Sequence, residues 1–165
     1  MKKILLPALL AVSSIFIYSC NDSKTEATAA SSFSLDSVKV AIAASNASFG
    51  SGFPTQDSVG FANHYTSDAC INPTGIPQIC GTQGIMAYFN GGYQMGVRDV
   101  KLTTNEVMGG KDAVVETGTY EILGAQGMSL EKGKFIVMWK EENGKWKMHR
   151  DIWNSDAPPP PAAAK

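Results

Sequence analysis

Apolar positions along this chain change period once. Leu35, Val38, Ile42, Ser45 and Phe49 recur at steps of three and four, with Ser34 at the N-cap position. That spacing predicts an amphipathic first helix. Gly50, Gly52 and Pro54 end it, and Asp57 or Ser58 caps a second, short helix through Tyr65, which Asp68 closes. Ala69 to Asn72 reads as a short strand stopped by Pro73. Thr82 caps a third helix over Gln83 to Phe89, which Gly91 and Gly92 terminate. From Val97 onward the period is two. Val100 and Leu102 alternate with Lys101 and Thr103, and Gly109 to Asp112 is a turn. Ala113 to Leu123, Lys134 to Lys140 and Lys145 to Asn154 read as further strands, the last two joined at the hairpin signal Asn143-Gly144. Helices first and an antiparallel meander after is an α+β layout. A sheet of this length curls. The expected architecture is a cone-shaped curved antiparallel sheet whose concave face is covered by three N-terminal helices, with a pocket between them.

The two ends stand outside this pattern. Lys2 and Lys3 precede an almost wholly apolar run from Leu5 to Tyr18, and Ser19-Cys20 follows. A basic start, a short apolar run and a small residue mark a secretory signal. A membrane-spanning helix needs about 20 apolar residues, more than this run supplies. Ile17-Tyr18-Ser19-Cys20 resembles the bacterial lipobox. The resemblance implies cleavage before Cys20, acylation of its thiol, and residence in the bacterial cell envelope, facing the periplasm or the surface. Residues 1–19 are therefore expected as a lipoprotein signal peptide and 20–33 as a Ser/Thr/Ala-rich tether. Residues 34–156 are expected as the folded domain, and 157–165, APPPPAAAK, as an extended polyproline-type tail.

Composition bounds what this domain can be. The chain has 165 residues, 44% hydrophobic and 18% charged, which fits one domain with a real core rather than a disordered chain. Its 14 Lys+Arg against 15 Asp+Glu give a formal charge of −1, too balanced for a basic face that reads nucleic-acid phosphates. With Cys20 assigned to lipid, Cys70 and Cys80 remain as an even pair in an oxidising compartment. They flank Pro73, Gly75 and Pro77, and a structural disulfide is expected. No CxxC is present, and His64 and His149 lie too far apart in the chain to begin a metal set. No phosphate loop and no Ser nucleophile motif occur. Neither a metal nor a cofactor is expected.

Several segments together resemble a known family. Tyr65-Thr66-Ser67-Asp68-Ala69 leads to Asn72-Pro73, and Gly81 opens a helix after a loop. Glu116-Thr117-Gly118-Thr119-Tyr120 and Lys132-Gly133-Lys134-Phe135 follow. The chain closes on Trp139-Lys140, Asn143-Gly144-Lys145-Trp146-Lys147 and Arg150-Asp151-Ile152-Trp153-Asn154-Ser155-Asp156. This resembles the SnoaL-like and ketosteroid-isomerase-like group of the nuclear-transport-factor-like superfamily, in its domain-of-unknown-function branch, over about residues 35–156. The resemblance implies a cone-shaped α+β fold, an apolar pocket with a few polar groups, and a homodimer through the outer face of the sheet. It does not imply one chemistry, since a fold of this kind hosts many.

Isomerases of that family use an Asp before a Pro as general base, and here Asn72 precedes Pro73; an amide cannot take that proton. Asp68 is a substitute by position, though it more naturally ends the preceding helix. The family's oxyanion Tyr aligns near Phe49 and its oxyanion Asp near Ile136, and neither side chain donates a hydrogen bond. Steroid-type isomerisation is not expected. On the last strand, strict alternation puts Trp146, Met148, Arg150 and Ile152 on one side and Lys147, His149, Asp151 and Trp153 on the other. Alignment on the Gly-Lys turn points the His149, Asp151 and Trp153 set at the family's pocket, joined by Ile136 and Met138.

The ligand-binding candidates are therefore Tyr65, Met86, Ile136, Met138, His149, Asp151 and Trp153. His149 and Asp151 form either an acid–base or ligand-orienting pair, or a structural set in which Asp151 accepts from backbone or Tyr65 and His149 sits at the rim. His64 reads as a helix-end histidine, Glu116 as a cross-sheet partner of Arg150, and Met86, Phe89, Met138 and Met148 as core. The expected function is a lipid-anchored extracytoplasmic module binding a small, partly apolar molecule. The alternatives are an enzyme of cyclase, dehydratase or hydrolase type using His149 and Asp151, or a module that binds a protein partner through the outer sheet face.

Overall fold

The computed structural model of the chain describes residues 33–158. The expected signal peptide, nearly all of the tether with Cys20, and residues 159–165 of the expected tail lie outside them. Helix α1, Leu35–Ser48, starts where the spacing puts it: Ser34 is extended, and its Oγ accepts the Ser37 N–H at 3.3 Å. Val38 and Ile42 turn into the core. A 3-10 turn, Phe49–Gly52, leads to α2, Ser58–Ala62, where Asp57 Oδ1 caps the Gly60 N–H at 2.8 Å. α2 stops short of Tyr65. Tyr65 and Asp68 instead belong to β1, Tyr65–Asn72, twice the length that Pro73 and the apolar run suggested. The Met148 N–H bonds the His64 carbonyl at 2.9 Å, so pairing with the last strand captures this segment before α2 can continue.

After a two-residue strand β2, Ile79–Cys80, helix α3 spans Gly81–Gln94. It outruns the expected Gln83–Phe89 at both ends. Thr82 lies inside it, and Gly91 and Gly92 do not stop it. The stop is Gly96, whose φ of +99° only glycine adopts freely and whose N–H bonds the Tyr93 carbonyl at 3.1 Å. Neither of these glycines is demanded by packing: a Cβ at Gly92 would make only ordinary contact with Val97 and the Phe53 ring, and one at Gly91 would meet nothing.

Four long strands follow: β3, Asp99–Gly110; β4, Ala113–Leu123; β5, Ser129–Glu142; and β6, Lys145–Ser155. The sheet order is β2-β1-β6-β5-β4-β3. β1 runs parallel to β6, and the other pairs are antiparallel. The expected α+β curved sheet with three helices on its concave side is the observed architecture. Cys70 and Cys80 face one another across β1 and β2 and are disulfide-bonded, as expected, which pins the short edge strand to the sheet.

One irregularity sets the site. Met138 pairs with Arg150 but the next residue, Trp139, pairs with Met148, so β6 has two residues, His149 and Arg150, where β5 has one. This is a β-bulge, and it breaks strict alternation. Met148, Asp151 and Trp153 come to one face, the concave one, and His149 leaves it. Opposite, β5 presents Phe135, Val137 and Trp139 inward. The core is these side chains together with Ile42, Phe49, Phe53, Phe61, Ile71 and Phe89 from the helices and β1.

Candidate functional site

Between the sheet and the helices lies a cavity of about 380 Å³, within the size range of small-molecule sites. Its floor is aromatic. Phe49 and Phe61 have ring centroids 4.8 Å apart, Phe61 and Phe89 4.8 Å, and Phe53 and Phe89 4.3 Å. Such pairs are worth about 0.5–1.5 kcal/mol each beyond the area they bury, so this wall is rigid. On the sheet side Phe135 and Tyr120 reach the cavity because glycines make room for their rings. A Cβ at Gly118 would collide with the Phe135 ring, and one at Gly133 with the Tyr120 ring.

At the bottom of the cavity, Tyr65 is 4% exposed and Asp151 6%. The Tyr65 hydroxyl donates to Asp151 Oδ2 at 2.9 Å. No Lys, Arg or His lines the wall around them. Burial pushes the Asp151 carboxyl up to about 7, and the charge of Glu116 behind the wall pushes the same way, against the Tyr65 bond that favours ionisation. Burial, and then Asp151, hold the Tyr65 phenol well above its ordinary range. Nearer the mouth, Tyr120 donates to Glu131, and burial together with that bond raises the Tyr120 phenol. Tyr88 is pushed up to about 12 by burial and then by Glu131 and Asp151. Its ring stands edge-on to Trp153, centroids 5.8 Å apart. Ile76, Met95 and Leu130 are exposed and ring the opening.

Of the seven binding candidates, the structure brings Tyr65, Asp151 and Trp153 together on this wall. Four do not line it. Ile136 is 52% exposed on the outer face of the sheet, and Met138 shares that face, because it is Phe135, Val137 and Trp139 that point inward. The inward neighbours Phe135 and Val137 donate no hydrogen bond. Met86 packs at the edge of the core and is absent from the wall.

The correction with most consequence is His149. Its ring is buried, but beneath β1 rather than in the cavity: Nδ1 lies 2.9 Å from Thr66 Oγ1 and 3.2 Å from Arg150 Nη1. The guanidinium can only donate, so Nδ1 accepts and the ring proton sits on Nε2. Thr66 Oγ1 also lies 3.0 Å from Asp68 Oδ1, so its single proton is shared between the imidazole and that carboxylate. Burial, Arg150 and Lys140 lower the imidazole's proton affinity, and Asp68 only partly offsets them. His149 and Asp151 are thus not a pair. The bulge separates them.

Other readings change as well. Glu116 does not pair with Arg150, which donates to the Asp68 and His149 carbonyls. Glu116 is wholly buried, and Oε1 accepts from Asn46 Nδ2 at 2.7 Å and Thr104 Oγ1 at 2.6 Å. Its Oε2 accepts from Trp139 Nε1 at 3.0 Å. His64 Nδ1 bonds Ser45 Oγ at 2.8 Å, so its partner is a side chain of α1 rather than solvent. Asn72 braces the sheet, its Nδ2 donating to the Asp151 carbonyl at 3.0 Å. Among the described residues no three His, Cys, Asp or Glu side chains come together as a metal site.

Sequence reasoning missed the floor rings Phe53, Phe61 and Phe89 and the mouth pair Tyr120–Glu131. A signal for the sheet face was present: Lys134 and Lys140 bracket Ile136 and Met138 at two-residue steps, which marks that set as solvent-facing.

Compared by sequence, the chain matches no protein-family model and no curated protein. Compared by structure, it is similar to a protein of unknown function with a cystatin-like fold from Nostoc punctiforme, with 15% identity and a TM-score of 0.63 over 76% of this chain and 94% of that one. It is similar to a ketosteroid isomerase-like protein from Erwinia carotovora atroseptica, with 18% identity and a TM-score of 0.59 over 75% and 97%. It is likewise similar to a hexachlorocyclohexane dehydrochlorinase, LinA-type3, from Novosphingobium barchaimii, with 18% identity and a TM-score of 0.59 over 78% and 92%. The chain has the cone fold that the sequence resemblance implied. At these identities the likeness is one of fold.

Proposed function

We propose that this protein is a small-molecule-binding module held in the bacterial cell envelope by lipid on Cys20. The observation that carries the binding reading is the cavity: about 380 Å³, walled by aromatic and aliphatic side chains, with one polar pair, Tyr65–Asp151, at its bottom. Apolar walls supply affinity and a few fixed polar groups supply orientation. The envelope location is supported by the run before Ser19-Cys20 and by the Cys70–Cys80 disulfide, a bond that persists in oxidising compartments. The proposal includes a homodimer through the outer sheet face. There Ile136 and Ile152 are directly paired across β5 and β6 and both more than half exposed, an arrangement a second copy would cover.

Native mass spectrometry of the full chain from an exporting host tests this. A dimer carrying a copurified small molecule is the expected result. An empty monomer that binds no apolar probe overturns it. A palmitate analogue fed to the cells should label the chain, and Cys20→Ser should abolish the label.

A second reading is favoured by one observation. A carboxyl buried at the bottom of a largely apolar cavity, and brought to about 7 by that burial, has the proton affinity that suits a general acid–base group near neutral pH. On this reading Asp151 is the reacting group and Tyr65 positions it. His149 has no part in it. Turnover lost in Asp151→Asn, with ligand still bound, would establish this reading over plain binding.

A further inference from the structure

The Tyr65, Tyr120 and Thr74 hydroxyls of the cavity are already committed as donors, which leaves the Tyr88 hydroxyl and the Trp153 indole N–H without a partner among the described residues. The Tyr65 hydroxyl is committed to Asp151 and the Tyr120 hydroxyl to Glu131. The Thr74 hydroxyl donates to the Trp153 carbonyl at 3.0 Å. Asp151 Oδ1 accepts no hydrogen bond from the described residues, so one oxygen of the deepest carboxyl has no partner. For a ligand carbonyl the wall offers only the Tyr88 hydroxyl and the Trp153 indole N–H, and at the bottom the Tyr65 hydroxyl is taken. A ligand that brings its own donor or positive charge would find a waiting acceptor.

Charge points the same way. Two carboxylates, Asp151 and Glu131, line the cavity and no basic residue does. A third, Glu116, is buried just behind the wall, and its charge is felt at Asp151. Several cations of the domain are engaged elsewhere. Lys132 pairs with Glu121, Lys134 with Asp156 and Lys147 with Glu142. Arg98 donates to backbone carbonyls, and its guanidinium stacks over the Tyr93 ring at 4.3 Å. A buried carboxylate without a counter-ion is costly, and a cation supplied from outside would remove that cost.

The wall itself completes the pattern. Nine aromatic rings line the cavity. Ring faces carry negative potential and attract ammonium groups, most strongly where water is excluded.

From these three observations we propose that the occupant of this cavity is an organic cation, an amine or quaternary ammonium carried on an apolar body, seated with its charge against Asp151 Oδ1. The inference rests on the binding reading above and names its ligand class. The exposed Ile76, Met95 and Leu130 at the mouth would then meet the apolar body, so the ligand enters charge first. Groups facing Asp151 are Tyr65 from β1, Tyr88 from α3, Tyr120 and Glu116 from β4, and Glu131 from β5, all acidic or neutral. Nothing in that set competes with a ligand cation. Because the empty carboxyl is partly protonated near neutrality, binding the cation releases a proton, and affinity rises with pH through that range.

The test uses two probes of equal size, 1-naphthylmethylamine and 1-naphthylmethanol, titrated calorimetrically into the full chain. At about pH 8 the amine is expected to bind on the order of tenfold more tightly than the alcohol, and its advantage should shrink at about pH 6. Asp151→Asn should erase the preference without lowering the unfolding transition; Glu131→Gln, nearer the mouth, should weaken it less. Equal or tighter binding of the alcohol, or a preference that survives Asp151→Asn, overturns the cation proposal and leaves the binding module standing. Failure of both probes to bind overturns both.

Discussion

Tyr65 and Asp151 stand on adjacent parallel strands and share a hydrogen bond of 2.9 Å at the bottom of an aromatic cavity, with no basic side chain lining it. Each is more than nine-tenths buried. The pair therefore places an ionisable carboxyl where ionisation is disfavoured, and this has consequences that can be measured.

The Asp151 carboxyl titrates at about 7 in the folded protein, against about 3.9 for an ordinary Asp in an unfolded chain. Between those values the folded state holds a proton that the unfolded state has lost. Stability from this group is thus complete in acid, declines as pH rises from about 4, and is gone above about 7, a span of up to about 4 kcal/mol. Asp151→Asn keeps an acceptor for the Tyr65 hydroxyl and removes the titration. It should be nearly neutral at about pH 4 and stabilising by about 1–3 kcal/mol at about pH 8 in urea unfolding. The same effect at both pH values would refute this account of Asp151.

Glu116 ties three elements together through Asn46 on α1, Thr104 on β3 and Trp139 on β5. Glu116→Leu would orphan all three donors, at a cost of about 3–5 kcal/mol. Glu116→Gln still accepts from Asn46 and Thr104 but sets an amide against the indole N–H, and should cost about 1–2 kcal/mol. Chemical denaturation ranks the two. A neutral Glu116→Leu would show that the cluster holds nothing together.

The disulfide closes a short loop across β1 and β2. Replacing Cys70 and Cys80 together with Ala should cost about 2–3 kcal/mol in the chain-entropy account. Reductant should lower the unfolding midpoint of the parent chain and leave that of the double variant unmoved. A midpoint insensitive to reductant in both would mean that the bond contributes no stability.

Trp153 and His149 are close neighbours on β6 with opposite expected behaviour. Trp153 is on the cavity wall, and Trp153→Ala should weaken binding of any cavity ligand by on the order of tenfold or more. His149 packs under Thr66, and His149→Gln should leave affinity unchanged while costing about 1 kcal/mol of stability. Titration of one apolar probe into both variants decides it. A His149→Gln variant that loses binding would put the imidazole back into the site.

Much of the fold was legible in the sequence because it is written locally. The Ser34 cap, the three- and four-residue steps to Phe49, the Ala113–Leu123 strand and the Asn143-Gly144 turn all appear where pattern and turn chemistry put them. Segments governed by remote partners were not legible. Tyr65 carries no mark that assigns it to a strand rather than to the end of α2; parallel pairing with β6 decides that. Gly91 and Gly92 look like a helix stop, but α3 runs through both and ends before the left-handed Gly96.

The candidate site divides along the same line. The sequence by itself determined the α+β order, the disulfide partners and the residue types a pocket needs, because these follow from composition, spacing and two-residue alternation. Only the tertiary structure decided which of those residues meet. One extra residue at His149–Arg150 resets the alternation of β6, turns Met148, Asp151 and Trp153 to the cavity and sends His149 behind β1. A bulge arises from the register between two strands, a property of the pair that neither strand's own sequence contains.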